Sequence, residues 1–481
     1  MTLRPTGLLL LGALALGACD STDPVDCAVT PGDPQCVVQA RGALLDAAYD
    51  TTGTTITVTD DGANGVAPGG VTWTSDFTYV LANKVFVNDG QVLTIQAGTV
   101  VKGAPGERER STALVVARGG QLQANGTAQA PIVFTALADD VADPDDEPIA
   151  GSWGGVLVLG NASTNTTPGT VAIEGINTNE PRAIYGCGDA GFACDEDDDS
   201  GTLRYVSIRY GGSEIAPGNE INGLTMGAVG RGTTVEYVEV YKNKDDGFEW
   251  FGGTVNTRYL VSAFNGDEMF DTDQGYRGNN QFWFGIHGGD DFDNGLEMDG
   301  GDADFGGEDA APLSTPAIWN ATFIGPGASK TGARIRENSA PTFRRVIFTG
   351  FERGVDIQDR SVPGDSESRL ADGTLVFQNN VLGRFVGDDY GSGQSYTIAY
   401  LNDAANGNRL TGTDASVTSI SRARDGGLDP ASAGPALTDL GPAPAGSFFQ
   451  NTTCIGAVCP GDDWTAGWTA LSRLGHTAAG A

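Results

Sequence analysis

Apolar and polar residues alternate over short runs along most of the chain, and the runs recur in a fixed frame. VEYVEVYKNKDDGFEWFGG (235–253), TRYLVSAFNGDEMFDTDQG (257–275) and QFWFGIHGGDDFDNGLEMDGG (281–301) each hold an alternating run, a turn rich in Gly or Asp, and a second short alternating run. AIWNATFIGPGASKTGARIREN (317–338), TFRRVIFTGFERGVDIQD (342–359) and the earlier GTLRYVSIRYGG…INGLTMGAVG (201–230) have the same form. A period of two predicts β-strands, and no helical period competes with it. Keyed on Leu224, Phe248, Phe270, Leu296, Ala333 and Val355, the unit recurs every 22 to 26 residues, except for one step of 37 that contains DADFGGEDAAPLST. That period, built from strands alone, predicts the coils of an all-β parallel β-helix, in which stacking buries an apolar face no single coil could bury.

Alternation then sorts the side chains. Phe248/Trp250, Phe270/Thr272, Leu296/Met298, Ala333/Ile335 and Val355/Ile357 are expected to face inward. The residues between them, Glu249, Asp271, Glu297, Arg334 and Asp356, form an outward column, and Phe251, Asp273, Asp299, Arg336 and Gln358 form the next. Successive coils lie about 4.8 Å apart, so Glu249, Asp271 and Glu297 would stand as a ladder of like charges. Each adjacent pair repels by roughly 1 kcal/mol in water and by about 3–4 kcal/mol at an effective dielectric near 20. Arg334 and Arg336 serve the near edge of this patch and do not easily reach Glu249. A hard cation with oxygen ligands, Ca²⁺ by preference, is therefore expected at Glu249, Asp271, Asp273, Glu297 and Asp299. The alternative is an acidic face splayed into screening solvent, with the Asp-Gly turns DDG and GDE serving only as turn formers.

Composition supports the strand reading and narrows the partners. The 481 residues include 71 Gly and 40% hydrophobic residues, enough for a folded core rich in turns. Acids outnumber bases 62 to 28, a net charge of −34, which repels nucleic acid and anionic surfaces and attracts cations. Two histidines, His287 and His476, leave little material for a zinc site or a Ser-His-Asp arrangement, and His287 reads as a turn residue. No Gly-rich phosphate loop precedes a helix.

At the N-terminus, Arg4 precedes the apolar run LLLLGALALGA, the length of a signal-peptide core, which ends in Leu16-Gly17-Ala18-Cys19. This resembles a bacterial lipobox and implies a signal peptide over 1–18, cleavage before Cys19, and lipid on its thiol holding the mature chain at a membrane. Residues 19–50 read as a tether with a short disulfide loop, and 51–481 as a single β-helix domain with a C-terminal cap. No later segment is long and apolar enough to cross a membrane as a helix. The other six cysteines fall in local pairs, Cys27/Cys36, Cys187/Cys194 and Cys454/Cys459, and an exported chain makes three disulfides of them. ADDVADPDDEPIAG and CGDAGFACDEDDDSG read as acidic lateral loops, and residues 402–446 as a lateral loop region before the cap.

GSWGGVLVLGNA (151–162), NEINGLTMGAVGRGTTVEYVEV (219–240), DDGFEWFGGTVN (245–256), DEMFDTDQGY (267–276), DNGLEMDGGD (293–302) and the closing DDWTAGWTAL (462–471) resemble a group of bacterial lipoproteins. The group is common in Bacteroidota-type and marine gram-negative bacteria. Its members look like right-handed parallel β-helix, pectin-lyase-like proteins, and some carry the label "multidrug transporter". The resemblance implies a right-handed parallel β-helix with lateral loops and terminal caps. It also implies export to the cell envelope, at the outer membrane or cell surface. The acids of CDSTDPVD after the lipid site look like a surface-directing tether in such bacteria, whereas an Asp there favours inner-membrane retention in others. Pectate lyases and polygalacturonases use this fold, so a Ca²⁺-dependent polysaccharide lyase or a glycoside hydrolase employing Asp271, Asp273 and Arg334 is the catalytic alternative. The spacing of Asp290-Asp291 and His287 does not match the hydrolase set. The leading expectation is a non-catalytic surface binding or adhesion protein that takes Ca²⁺ and glycans or other surface components. A structural envelope spacer is a second alternative.

A Cys19→Ser chain is expected to lose metabolic labelling by palmitate and to move from the membrane to the soluble fraction. Unchanged labelling would remove Cys19 as the lipid site.

Overall fold

The computed structural model describes residues 47–60, 69–216, 219–289, 292–301, 305–327, 330–359, 364–389, 395–414 and 416–478. Cys19, Cys27 and Cys36, and with them the leader, the lipid site and the first disulfide, lie outside the described residues, as do Asp290 and Asp291. The other two bridges, Cys187–Cys194 and Cys454–Cys459, are formed.

Within Arg41–Ala481 the strands form a parallel β-helix. A ten-stranded sheet takes one strand from each coil, and its neighbours include Leu224–Gly227, Phe248–Phe251, Phe270–Asp273, Leu296–Met298, Thr331–Ile335 and Phe351–Ile357. All of these pair in parallel. A nineteen-stranded sheet supplies the remaining walls. At its start, Ala47–Thr52 pairs antiparallel with Thr55–Asp60 through a turn at Gly53.

The wide sheet is creased. Strands Gly201–Arg209, Thr234–Tyr241, Asn256–Ala263 and Asn279–Ile286 each pass through one left-handed residue, namely Tyr205, Tyr237, Tyr259 and Phe282 at φ of 48°, 55°, 57° and 62°. Pairing skips that residue, running Arg204↔Glu236 and then Val206↔Val238. In later coils the crease falls at Asn320, Arg345 and Asn379, where the strand divides in two. A bulky residue at positive φ is strained. Here the strain is offset by face-to-face stacking along the column, with ring centroids 4.4 Å apart for Tyr205–Tyr237, 4.3 Å for Tyr237–Tyr259 and 4.7 Å for Tyr259–Phe282.

Every residue assigned inward by alternation is fully buried, from Phe248 and Trp250 through Val355 and Ile357. The densest part of the core is aromatic: Trp283 stacks on Phe270 at 4.4 Å and on Trp250 at 5.0 Å, and Phe248 stacks on Phe270 at 5.2 Å. The indole N–H of Trp283 donates to Thr257 Oγ1, so this large ring buries no unpaired donor.

The closing segment does not stop at the last coil. From Ser416 it turns back along the crease, meets Arg345 at Gly441, drops to Arg258 at Phe448, climbs to Arg345 again at Gly456, and finally descends to Glu239 at Ala470. Gly456 N–H donates to the Arg345 carbonyl, and Asn320 Nδ2 to the Cys454 carbonyl. Gln450 N–H donates to Gln281, and the amides of Ala470 and Leu471 donate to Glu239. Residues 402–446 are thus more than a lateral loop: Arg409–Leu410 adds a further parallel rung, and Val417–Ile420 pairs antiparallel with Leu428–Ser432. The Glu239 carboxylate is wholly buried and accepts Ala470 N at 2.6 Å, Leu471 N at 3.2 Å and Ser207 Oγ at 2.7 Å.

Replacing Glu239 by Ala would leave those donors buried without an acceptor, a loss of about 2–4 kcal/mol. Glu239→Ala is expected to lower the melting temperature and to make the segment after residue 415 a target for limited proteolysis, with Glu239→Gln milder. A wild-type cleavage pattern in Glu239→Ala would show that this carboxylate does not hold the segment.

Candidate metal centre

The outward column stands in register: Glu249 is opposite Asp271, Asp271 opposite Glu297, Glu297 opposite Arg334, and Arg334 opposite Asp356. Outward here does not mean solvated. The segment between Val156–Leu159 and Gly201–Arg209 folds over this face as an arm whose strands Thr170–Ala172 and Ile184–Gly186 form a hairpin. Tyr185 of the arm packs on Phe251 at 6.0 Å, and Ile173, Ile176 and Ala183 join Val115, Leu157 and Leu159 in an apolar layer outside the sheet. The insertion after Gly301 meets the arm, since Thr167 N–H donates to the Phe305 carbonyl and Asn165 Nδ2 to Gly300. The acids beneath are therefore held out of water, with Glu249 8%, Asp246 6%, Glu268 6% and Asp299 7% exposed. The splayed, solvated face does not form.

The structure divides the five expected ligands into groups. Glu297 and Asp299 are neutralised from the next coil, with Arg336 2.6 Å from Glu297 and 2.7 Å from Asp299, and Arg334 3.5 Å from Glu297. Asp273 lies in the neighbouring column opposite Phe251, where its charge acts on the buried Tyr185 hydroxyl. Glu249 and Asp271 remain, and they converge with a residue the strand pattern did not assign. Asp246, Glu249 and Asp271 each offer a carboxylate oxygen, all within 4.8 Å of one another. Two further triads adjoin this one, Asp245/Asp246/Asp267 and Asp267/Glu268/Asp293, sharing Asp246 and Asp267.

The added acids come from the turns before each strand, where DDGFE (245–249), DEMFD (267–271) and DNGLE (293–297) align position by position. The strand columns alone define the expected ligand set and leave this second periodic column, in the turns, unassigned. Glu174, from the arm, could not be read from local pattern at all. It meets Glu249 carboxyl to carboxyl, and Asn222 Nδ2 donates to both. In the third coil Asn294 replaces an acid and donates its Nδ2 to Glu268 Oε1 at 2.8 Å. Asp293 is paired with Lys330 at 2.9 Å. The positive edge thus ends at that coil. Among the described residues, Asp245, Asp246, Glu249, Asp267, Glu268 and Asp271 form no ion pair.

Protonation reflects this imbalance. Burial pushes Asp246, Glu249, Glu268 and Asp271 well above the ordinary carboxylate range, and the neighbouring carboxylates push them further. Asp245 is raised to about 8 and Glu297 to about 7, again chiefly by burial. Some polar atoms are satisfied, since Asp246 Oδ1 accepts Glu268 N–H at 2.8 Å. Asp271 Oδ1, by contrast, is sealed from solvent and accepts no hydrogen bond from the described residues. An orphaned buried carboxylate oxygen beside two others fits a hard cation taking several oxygen ligands, and the donor set of carboxylates without sulfur or imidazole suits Ca²⁺.

The alternative catalytic residues are not assembled in the same way. Asp271 and Arg334 share the column with Glu297 between them, and Asp273 stands in the other column. His287 follows Asn279–Ile286, buried, with Nε2 2.9 Å from the Asn294 carbonyl, and burial lowers its pKa to about 4.

A family model described as a pectate-lyase-like beta helix domain matches residues 65–469. Neither a curated protein nor a solved structure matches the chain at a significant level.

The raised carboxyl pKa values set the sign of the pH dependence. A carboxyl that holds its proton more tightly in the folded state contributes stability that is lost as pH rises from the unfolded value towards the folded one. For Glu297 that window runs from 4.5 to about 7, and for Asp245 from 3.8 to about 8. In the presence of a chelator the melting temperature is expected to fall between pH 5 and 8. Asp271→Asn, which removes one buried charge, should recover about 1 kcal/mol or more at pH 8, a rise on the order of 2 °C. A flat profile, or a less stable Asp271→Asn, would show that these carboxyls are not forced together.

Proposed function

Because the chain belongs to the pectate-lyase-like β-helix family, we propose that it is an exported envelope protein, lipid-anchored through Cys19, whose β-helix holds Ca²⁺ in the carboxylate cluster of Asp246, Glu249 and Asp271 and presents a rigid surface for binding rather than catalysis. The single observation that carries the cation reading is the sealed Asp271 Oδ1, without a hydrogen-bond partner among the described residues, within a triad that no described base neutralises. Glu297 and Asp299, committed to Arg336, border the site instead of ligating, and Asp273 supports the electrostatic field beside the arm. Ca²⁺ is preferred over Mg²⁺ because it accepts several protein carboxylates in flexible geometry, whereas Mg²⁺ demands near-ideal octahedral coordination and retains its waters. The arm lies over this cluster, so an ion bound there would also tie the arm to the coils through Glu174 and Asn222. Anchoring at the outer membrane or cell surface rests on the lipobox and the acidic tether that follows it.

Calcium is expected to raise the melting temperature of the wild type, by the equivalent of about 2.7 kcal/mol at a hundredfold excess over Kd. It should also release protons, measured as a calorimetric heat that varies with buffer ionisation enthalpy. Both effects should disappear in Asp271→Asn and be much weaker with magnesium. Identical melting curves with calcium and with chelator would end the cation reading. An unsaturated product from polygalacturonate, lost in Arg334→Ala, would instead move the assignment to a lyase.

A further inference from the structure

The returning C-terminal segment leaves a cavity of about 480 Å³ between itself and the crease of the wide sheet, away from the acidic cluster. Its inner wall is aromatic, made of Tyr259, Phe282 and Trp464. The two faces of Tyr259 are already taken, by Tyr237 at 4.3 Å and Phe282 at 4.7 Å. Trp464 meets Tyr259 at 5.2 Å and 70°, and Tyr237 at 6.4 Å and 77°. With the tyrosine faces occupied, it is the tyrosine edges that meet one face of the indole, and the other face is not engaged by the ladder. The ring is fixed in that attitude. Its Nε1–H donates to the Ala457 carbonyl at 2.9 Å, and its own carbonyl accepts from Trp468 Nε1 at 2.8 Å. Trp468, lying on the same ladder, is fully buried, whereas Trp464 stays half-buried at the cavity. The Cys454–Cys459 bridge closes the loop whose Ala457 and Cys459 also line the cavity.

The rest of the lining is polar and of one sign. Asp439 and Asp462 stand exposed at the rim, and among the described residues no Lys or Arg lines the cavity itself, Arg345 lying behind Gly441. Asn451 spends its Oδ1 on the Ala443 N–H at 2.8 Å, which leaves its side-chain N–H pair for another acceptor. A flat indole face matches the apolar C–H face of a sugar ring, while carboxylates and amides match its hydroxyls. The volume falls in the range of ordinary small-ligand sites. The acids decide the class of sugar, because a uronate would meet two carboxylates, of which only Asp439 feels a nearby base, Arg345, whereas an amine would be drawn to both the acids and the rings.

We infer that this cavity is a glycan-binding site that takes a pyranose unit without an acidic group, with an amino sugar favoured. It stands independently of the cation site, on a different sheet and with a different chemistry.

Binding is read by tryptophan fluorescence and calorimetry on the intact chain, in chelator so that the acidic cluster cannot contribute. The probes are a chitosan hexamer, cellohexaose and hexagalacturonate. The expected order is chitosan hexamer tightest, cellohexaose weaker and hexagalacturonate undetectable. Trp464→Ala should weaken the chitosan hexamer at least tenfold. Trp464→Phe, which keeps a flat ring on the ladder, should stay within about threefold, so that lost stacking is distinguished from a loosened segment. Asp462→Asn should narrow the gap between chitosan hexamer and cellohexaose. Absence of binding by all three probes overturns the inference, as does tightest binding by hexagalacturonate, or an affinity unmoved by Trp464→Ala in a folded variant.

Discussion

Hydrogen bonding between successive coils of a parallel β-helix forces each side chain to sit above its counterpart, about 4.8 Å away. That constraint turns a repeat in sequence into a column in space, and the chemistry of a column depends on what is stacked. Aromatic residues at the repeat position gain, so Phe248, Phe270, Trp250 and Trp283 form a continuous stack inside. Carboxylates at the repeat position lose, so Glu249 and Asp271 become a concentration of unbalanced charge outside. The same backbone geometry thus stacks attractive rings inside and repelling carboxyls outside.

Other elements close over the acidic column. The arm with the Thr170–Ala172 and Ile184–Gly186 hairpin buries Phe251 and its apolar neighbours, and in doing so it removes water from the acids beside them. Removing water makes the repulsion larger and makes any counter-ion more strongly held. Arg334, Arg336 and Lys330 resolve one edge by direct pairing. The first two coils of the patch receive no such partner among the described residues. The cluster is thus graded from neutralised to uncompensated along the solenoid axis.

Much of the coil was legible in the amino-acid sequence, and the reason is the period of two. Alternation identified the inward residues from Phe248 to Ile357, and the spacing of about two dozen residues fixed which outward residues share a column, down to Glu249, Asp271 and Glu297. The limits have physical causes as well. Asp246 and Glu268 belong to turns, where no alternation marks a face, so their periodicity was visible only by aligning DDGFE with DEMFD. Glu174 reaches the site from an arm inserted between coils, and no local pattern encodes such a contact. The crease aromatics were equally concealed: Tyr205, Tyr237 and Tyr259 occupy ordinary strand sequences and reveal their role only through a left-handed backbone. The direction taken by the closing segment rests on contacts such as Glu239 to Ala470, 231 residues apart, beyond any reading of neighbours.

That last contact carries a consequence for how the molecule is made. A chain emerging N-terminus first completes the coils around Glu239 long before the helix Ala470–Arg473 exists to meet them. The buried carboxylate and the tyrosine ladder therefore wait in water while the 231 residues up to Ala470 are added, and the final stretch docks onto coils that have already stacked. The tail acts as an inspection seal. It fits a finished solenoid and finds no seat on one whose coils have slipped.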